Sequence, residues 1–550
     1  MIAAMQHKPL ASHRTAPLSR RSLLLAAAGG VVSGCGGGGG GDAPPPSGIP
    51  TLPRPPVVPV DGPAWAGFAG TAQHTAIAGV AAQRMDGIYW YAPVDLSPQM
   101  VNGALTTHYG SPAITRHNTV VMPVKTGALD GFRVEARVGA TGDVVWTQNS
   151  SYLLPPHRWV PSYNPVLTPD GRVWMPESGG RVLVRSNASD PGDPPATVAR
   201  IAFYGDALYA ANAAAFDATV FINTPLTSDA AGNVYFGFVV TGANPAGLGG
   251  GGVVRIAANG TPTVVTVAAA LPPSAGPTKT ATNAAPALSN DGGTLYVVVN
   301  NVPPANGRPS GRLLALNATT LATVASVNLN DPATNTAAWI SDDATSSPVV
   351  GPDGDVFIGV LEAPPTGSHN FRGWLLHFNG ALTQTKTPGS FGWDNAPSIV
   401  PKAMVPGYTT PSTYLLLTKY NNYGGVGTGD GRNRVAILDP GQTQADPITP
   451  TVQVMKEVRT QLGLTPDPNW PGGFKEWCIN TAAVDPATGS VLINSEDGVL
   501  YRWHLPSDTF SQRVTLNGGI FQSYTPTAIG PDGRIYSVNN AILHSIGQRV

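Results

Sequence analysis

The stretch that decides the fold is Asn164-Pro165-Val166-Leu167-Thr168-Pro169-Asp170-Gly171-Arg172-Val173-Trp174-Met175. It contains a short apolar run, an Asp-Gly pair, and a second run of β-branched and large apolar residues. Asp-Gly between two apolar runs is a strong hairpin signal, because glycine accepts the positive φ that a tight hairpin turn demands. The stretch therefore predicts two antiparallel strands joined by a short turn.

The same pattern returns along the chain. Its copies begin at Ser111-Pro112, Asn164-Pro165, Thr224-Pro225, Ala285-Pro286, Ser347-Pro348, Ala396-Pro397, Thr481-Ala482 and Thr525-Pro526. Related turns occur at Asp291-Gly292, Asp353-Gly354, Thr488-Gly489 and Asp532-Gly533. A third and a fourth strand follow the hairpin, as at residues 311–316 and 323–327. Four antiparallel strands in a repeat of roughly 45–60 residues are typical of one β-propeller blade.

The number of copies predicts an all-β, eight-bladed propeller of four-stranded antiparallel blades. Seven blades remain an alternative if the copy at Ala396, which carries an insertion, is not a true repeat. The last copy is incomplete, and we expect residues 88–93 to supply its outer strand. Such a strand would close the ring and remove a sheet edge.

Composition favours a folded domain over a disordered one. Hydrophobic residues make up 42% of the chain, although Gly (65) and Pro (54) are frequent. That hydrophobic fraction can offset the entropy of ordering the chain. The formal net charge of −1 argues against a nucleic-acid partner, because such proteins usually carry a basic excess.

The first 34 residues have the features of an export signal. Arg20 and Arg21 precede a short apolar run that ends in Val32-Ser33-Gly34-Cys35. This ending resembles the lipobox of bacterial lipoproteins, which implies that Cys35 is lipidated; a buried cysteine after an ordinary signal peptide is the alternative. The arginine pair also resembles a twin-arginine signal, so the export route stays open between the general and the twin-arginine pathways.

A flexible, then stiff, tether follows the lipidation motif. Residues 36–41 are all glycine, and Pro44-Pro45-Pro46 follow soon after. We therefore divide the chain into a signal peptide (1–34), a lipidated cysteine with its tether (35–61) and a propeller (62–550). Cys478 is the other cysteine of the chain, so no internal disulfide is expected.

Two segments resemble the propellers of the pyrroloquinoline-quinone (PQQ) type. One is Ala136-Arg137-Val138-Gly139-Ala140-Thr141-Gly142-Asp143-Val144-Val145-Trp146, and the other holds Trp65-Ala66-Gly67-Phe68 and Gln73-His74-Thr75. In that family the pattern packs a tryptophan between blades. The family contains dehydrogenases as well as non-catalytic lipoproteins, so the resemblance implies the fold and leaves the activity open.

The resemblance to this family does not extend to the residues that hold PQQ in its alcohol dehydrogenases. PQQ-dependent alcohol dehydrogenases typically hold a vicinal Cys-Cys disulfide and a calcium ion bound by carboxylates and an asparagine, and Cys478 has no cysteine beside it. We therefore expect no cofactor, with PQQ and calcium as the alternative. We also predict no metal site, because no Cys/His cluster has zinc-ligand spacing.

Candidate ligand-binding residues come from two positions in each repeat: just before the innermost strand, and between the second and third strands. In propellers these positions meet on one face, and aromatic and charged side chains together suit a binding site. The candidates are His108, Trp159, Trp393, Asp394, Glu476 and Trp477 from the first position, and Glu177, His369, Arg372, Lys419, Tyr420, Glu496 and Asp497 from the second.

Structural interpretations compete with functional ones at several residues. Trp146, Trp174 and Trp503 lie within predicted strands and are expected to pack between blades. Glu476 and Glu496 could form an acid–base pair, although a charged turn at Glu496-Asp497 explains those residues equally well. Cys478 is expected to be a small buried hydrophobe, because no histidine is near it in sequence.

Two functions remain. The first, which we favour, is a monomeric, lipid-anchored binding or scaffold module of the bacterial cell envelope, whose partner is an envelope protein or a polar or glycan ligand. Its expected place is the outer membrane, facing the periplasm or the cell surface. The second is an envelope enzyme, either a quinoprotein oxidoreductase or a carbohydrate-active lyase or hydrolase.

Overall fold

The computed structural model describes residues 49–98, 100–101, 104–105, 110–128, 130–155, 163–301, 310–342, 346–364, 366–479, 481–517 and 524–550. Within these ranges the sheets are eight antiparallel blades and one two-stranded hairpin. The predicted eight-bladed β-propeller is confirmed, and the seven-bladed alternative is wrong.

Three strands precede the first blade in sequence: β1 (Gly87–Pro93), β2 (Met100–Val101) and β3 (Ala104–Leu105). The first four blades then follow in chain order. Blade 1 contains β4 (Ala113–Ile114), β5 (Thr119–Lys125), β6 (Asp130–Val138) and β7 (Val144–Leu153). Blade 2 contains β8 (Val166–Leu167), β9 (Val173–Pro176), β10 (Val182–Arg185) and β11 (Val198–Ile201). Blade 3 contains β12 (Val220–Ile222), β13 (Thr227–Ser228), β14 (Val234–Val240), β15 (Gly251–Ile256) and β16 (Pro262–Thr266). Blade 4 contains β17 (Lys279–Thr280), β18 (Ala287–Leu288), β19 (Thr294–Asn300), β20 (Gly311–Asn317) and β21 (Thr323–Asn328).

The remaining blades complete the ring. Blade 5 contains β22 (Val349–Val350), β23 (Val356–Val360) and β24 (Trp374–Phe378). Blade 6 contains β25 (Ser398–Pro401), β26 (Tyr414–Tyr420), β27 (Arg434–Ala445) and β28 (Gln453–Leu462). Blade 7 contains β29 (Ala483–Asp485), β30 (Ser490–Asn494), β31 (Val499–His504) and β32 (Thr509–Thr515). Blade 8 contains β33 (Ala528–Ile529), β34 (Ile535–Asn539), β35 (Ile542–Gly547) and, as its outer strand, β1.

The few helices lie between strands. They are α1 (Asp206–Asp217), α2 (Val267–Ala270) and three 3₁₀ turns at Ser178–Gly180, Pro273–Ala275 and Lys402–Met404. Among the described residues, no helix combines the length and the apolar character needed to cross a bilayer.

Local turn chemistry sets the hairpins. The glycines of the predicted turns all have a positive φ: Gly171, Gly292, Gly354, Gly489 and Gly533. A residue with a Cβ atom rarely adopts this conformation, so the turns need glycine at these places. The Asp-Gly signal thus positions the first two strands of each of these blades.

The ring closes as the sequence predicts. Strand β1 pairs antiparallel with β35, from Gly87 opposite Gly547 to Pro93 opposite Ile542. The indole Nε1 of Trp90 on β1 donates a hydrogen bond to the Gly139 carbonyl of blade 1, at 2.8 Å. The N-terminal part of the propeller therefore fastens blade 8 to blade 1.

Tryptophans link neighbouring blades in a repeated way. Trp146 on the outer strand of blade 1 donates from Nε1 to the Ala188 carbonyl in blade 2, at 2.7 Å. Trp174 and Trp503 are fully buried in cores that neighbouring blades share. The expectation that these three tryptophans pack between blades is confirmed.

A segment before β1 closes one end of the propeller axis. Residues 65–78 form backbone hydrogen bonds with the first strands of blade after blade, at Ile114, Leu167, Leu288, Val350, Ile399 and Val484. Several of these positions are the last residues of their strands. The segment therefore lies at the end of the axis opposite to the one where the first strands begin.

Blade 5 differs from the predicted four-stranded plan. Its sheet has three strands, and residues 385–389 occupy the fourth place through isolated bridges between Leu375 and Gly389 and between Phe378 and Thr385. Because this segment is short, an open cleft lies on each side of blade 5. One cleft is lined by residues of blades 4 and 5, and the other by residues of blades 5 and 6.

Candidate functional site

Three successive blades place polar side chains at the end of the axis where their first strands begin. Asp394, Cys478 and Tyr524 precede the first strands of blades 6, 7 and 8. Lys419 lies at the end of β26, and Glu496 follows β30. In an antiparallel hairpin the start of the first strand and the end of the second lie at the same end, so these residues meet. With Glu476 they form what we call the axial cluster.

Two carboxyl groups and a thiol form the centre of the axial cluster. Glu496 accepts the backbone N–H of Glu476 at its Oε1, at 2.9 Å, and the Cys478 thiol at its Oε2, at 3.3 Å. The Tyr524 hydroxyl donates to the Cys478 sulfur at 3.2 Å. One ligand atom from each of Glu476, Cys478 and Glu496 lies within 4.8 Å of the others.

A buried ion pair lies beside this centre. The Lys419 ammonium is 3.8 Å from Asp394 Oδ2 and 4.8 Å from the centre of the Tyr524 ring. Asp394 has a φ of +58°, an uncommon conformation for a residue with a side chain. All six side chains of the axial cluster are buried, the most exposed being Glu476 at 8%. The cluster thus concentrates charge away from water.

Burial changes the proton affinities of these groups. It raises the pKa of Glu496 to about 7, although the Glu476 backbone N–H and the Lys475 ammonium act in the opposite direction. Burial and the negative charges of Glu496 and Glu476 raise the pKa of the Cys478 thiol well above its usual value. At neutral pH the Cys478 sulfur therefore carries its proton, whereas the Glu496 carboxyl group is in the middle of its titration.

The arrangement has two chemical capacities. A carboxyl group that titrates near pH 7 can accept and donate protons to a bound molecule. Two carboxylates and a sulfur within 4.8 Å can also hold a divalent ion that tolerates mixed oxygen and sulfur ligands, such as zinc. The prediction of no metal site was based on the spacing of Cys and His residues. A search for that spacing cannot find a ligand set made of two glutamates and one cysteine.

The donor set does not fit a calcium-held quinone. Calcium takes six to eight oxygen ligands, whereas among the described residues of the axial cluster a thiol lies between the carboxyl groups. The Lys419 ammonium beside Asp394 further opposes a cation there. The axial cluster is therefore not suited to hold PQQ through a calcium ion.

The sequence candidates divide into those inside and those outside the axial cluster. Lys419, Asp394, Glu476 and Glu496 belong to it. Trp477 points the other way, into the core with Tyr501 and Phe510. Asp497 accepts hydrogen bonds from Thr465 and Tyr501, at 2.6 Å each, and is not part of the cluster.

A second group of candidates lies between blades 5 and 6. The Arg372 guanidinium stacks 4.0 Å above the Tyr420 ring. His369 stacks on Trp374 with ring centres 3.8 Å apart, and its Nε2 lies 3.2 Å from the Asp446 carboxylate. Trp393 stacks on Trp339. These buried contacts give the residues a packing role in this structure.

The remaining candidates are elsewhere. Glu177 accepts hydrogen bonds from Ser150, Ser151 and Arg200 at the junction of blades 1 and 2. Cys35, His108 and Trp159, like the predicted signal peptide, lie outside the described residues. Lys419 and Tyr420, predicted in a loop, are the last residues of strand β26.

Sequence reasoning interpreted Cys478 as a small buried hydrophobe rather than as a site residue, and Tyr524 was not among the candidate residues. The signal for Cys478 was its spacing of two residues from Glu476, because alternate residues of an extended segment share one side. The hydrogen bond from Tyr524 to Cys478 joins blade 8 to blade 7, and the two residues are 46 positions apart in sequence. No local sequence pattern predicts this contact.

The Cys478 thiol should be nearly unreactive in the folded protein. In a Cys35→Ala chain, where Cys478 is the remaining cysteine, we expect N-ethylmaleimide at pH 7 to react at least about a hundredfold more slowly than in urea. Both burial and the raised pKa act in this direction. Mass spectrometry over time measures the rate, and rapid stoichiometric labelling of the folded chain would contradict the burial of this thiol.

Fold and site together define a class: an eight-bladed β-propeller closed at one end of its axis and carrying a buried polar cluster at the other. No protein-family model matches the chain, and no curated protein matches it as a relative.

Solved structures with a similar fold include two dehydrogenases and BamB. A europium-containing methanol dehydrogenase is 10% identical, with 86% of this chain and 89% of that chain covered, at a TM-score of 0.49. A quinohemoprotein alcohol dehydrogenase from Pseudomonas putida HK5 is 11% identical, with 89% and 76% covered, at 0.48. BamB from Moraxella catarrhalis is 11% identical, with 76% and 92% covered, at 0.39. This likeness concerns the fold alone.

Proposed function

We propose that the protein is an exported, lipid-anchored propeller of the bacterial cell envelope that binds a polar ligand at the axial cluster. The observation that carries the proposal is the concentration of Lys419, Asp394, Glu476 and Glu496 at one end of the axis, in a chain with 12% charged residues. Burying charged groups is costly, so a fold keeps them where they have a role.

The proposed ligand follows from the chemistry of the cluster. Glu476 and Glu496 carry acceptor oxygens, and the Lys419 ammonium carries three donor hydrogens. Such a set suits a neutral polar molecule with several hydroxyl groups, such as a glycan. The role is that of a binding or scaffold module, placed at the outer membrane and facing the periplasm or the cell surface.

A second candidate function is catalysis on a carbohydrate. It is favoured by one observation, the pKa of about 7 that burial gives Glu496 next to a second carboxyl group. Lyases and glycoside hydrolases use such paired carboxyl groups as acid and base. Release of shortened products from a glycan panel, abolished by Glu496→Gln, would replace the binding function by this one; binding without turnover would exclude it.

The anchor has its own test. We expect Cys35→Ala to move the protein from the membrane fraction to the soluble fraction of the envelope, because the acyl chains would no longer be attached. Fractionation with immunoblotting measures the distribution, and Cys478→Ala serves as the matched control that should stay with the membrane. An unmodified Cys35 in membrane-bound protein, seen by intact-mass analysis, would contradict the anchor.

A further inference from the structure

The cleft between blades 4 and 5 has the features of a second binding site. Its volume is about 470 Å³, within the range of small-molecule pockets. It exists because residues 385–389 fill the place of a fourth strand in blade 5 only in part. It lies between the outer parts of these blades, whereas the axial cluster belongs to blades 6–8.

Arg312 is the central polar group of this cleft. It lies on β20 opposite Asn328 of β21, and its Nη1 donates to the Ser326 hydroxyl at 3.0 Å. Its Nε is buried and has no hydrogen-bond partner. Among the described residues no carboxylate lies within ion-pair distance of the guanidinium. A guanidinium group that lines a cleft without a carboxylate partner is suited to an anion from outside the chain.

Two further basic side chains and one carboxylate line the cleft around Arg312. Lys386 and His377 line the wall from blade 5. The carboxylate that pairs with both, Asp355, does not line this cleft. Asp331 does line it, but its oxygens accept the backbone N–H groups of Ala333, Thr334 and Ala363. Its charge is therefore stabilised by backbone N–H groups of its own turn and by that of Ala363 in blade 5.

The rest of the lining sets the character of the ligand. Val327, Leu376, Phe378, Pro332 and Pro388 provide apolar surface, while Asn328, Asn330 and Asn335 provide amide groups. A guanidinium edge binds two oxygens of a carboxylate or phosphate in one plane. The complementary molecule therefore has an anionic head and an apolar body.

We propose that this cleft binds a small organic anion, a carboxylate or phosphate ester with an apolar body, through the guanidinium group of Arg312. The proposal does not depend on the function of the axial cluster. It makes Arg312 the specificity-determining residue of a site on the side of the propeller.

The test is calorimetric titration of the propeller, as a Cys35→Ala chain, with benzoate, phenyl phosphate, inorganic phosphate and benzyl alcohol. We expect saturable binding of benzoate, phenyl phosphate or both, weaker binding of inorganic phosphate, and no binding of benzyl alcohol. The two organic anions distinguish a carboxylate site from a phosphate site. No saturation by either one up to about 10 mM, or equal binding of benzyl alcohol, would overturn the proposal.

Variants link the binding to Arg312. Arg312→Gln should weaken binding at least tenfold, and Asn328→Asp, at an exposed position on the rim, should do the same by repulsion without touching the core. Arg255→Gln is the matched control, because Arg255 lies on the third strand of blade 3, also has a buried Nε without a partner, and lines no part of this cleft. Unchanged affinity in both cleft variants would show that the anion binds elsewhere.

Discussion

Replacing Trp90 by alanine should lower the free energy of unfolding by about 3–5 kcal/mol. Trp90 is nearly buried on β1, and its ring packs near that of Tyr536, with centres 5.9 Å apart. Its indole N–H holds the Gly139 carbonyl of blade 1. The substitution would leave a cavity at the junction where the ring closes and would remove one of the hydrogen bonds to the Gly139 carbonyl, which Arg534 also contacts.

Trp146→Ala is the matched control for this prediction. Trp146 also lies on an outer strand and also donates to the next blade, but it is only half-buried and does not lie at the closing junction. We expect it to cost about 1–2 kcal/mol. Equilibrium urea unfolding followed by far-UV circular dichroism measures both. A cost below about 1 kcal/mol for Trp90→Ala would contradict the role of β1 in closing the ring.

Glu496→Gln should change how stability depends on pH. The pKa of Glu496 is about 7 in the folded chain and 4.5 as its ordinary value. Between these values the folded state binds more protons than the unfolded state, so the free energy of unfolding falls as pH rises through this window and levels off above it. This contribution amounts to at most about 3 kcal/mol.

The variant removes this contribution, so its stability relative to the wild type should increase by up to about 3 kcal/mol from pH 5 to pH 8. Taking the difference cancels the two buried histidines, His74 and His544, whose pKa values are lowered to about 4 by burial and which act in the opposite direction. Urea unfolding of both proteins at several pH values measures this difference in the free energy of unfolding. Asp291→Asn is the control: the pKa of this exposed carboxyl is lowered from 3.8, so it titrates below the window. A difference that stays constant would mean that Glu496 is not the group that holds the proton.

Much of the fold could be predicted because its signals are local. Five of the hairpin turns require glycine at a position that the local sequence fixes, and the eight copies of the repeat give the number of blades. The closing strand was predictable because the last copy lacked one. Blade 5 departs from the plan because residues 379–389 contain no run of β-branched residues long enough for a fourth strand.

The site was predicted in part. Position relative to the strands was enough to bring Lys419, Asp394, Glu476 and Glu496 together. It was not enough to tell which way Trp477 and Asp497 point, since successive residues of an extended segment face opposite sides. The contacts of Tyr524 with Cys478, and of Arg312 with the open cleft, depend on how separate blades pack, which a single sequence does not encode locally.

The measurement that tests the central claim most directly is a thermal-shift screen of the Cys35→Ala chain with a glycan panel, with PQQ plus calcium as a further member. A ligand at a hundred times its dissociation constant should add about 2.7 kcal/mol of stability. We predict that at least one glycan raises the melting temperature, that Glu476→Gln abolishes this shift, and that Asp497→Asn, in the same blade but outside the axial cluster, retains it. No shift with any glycan, or an equal shift in Glu476→Gln, would contradict ligand binding at the axial cluster.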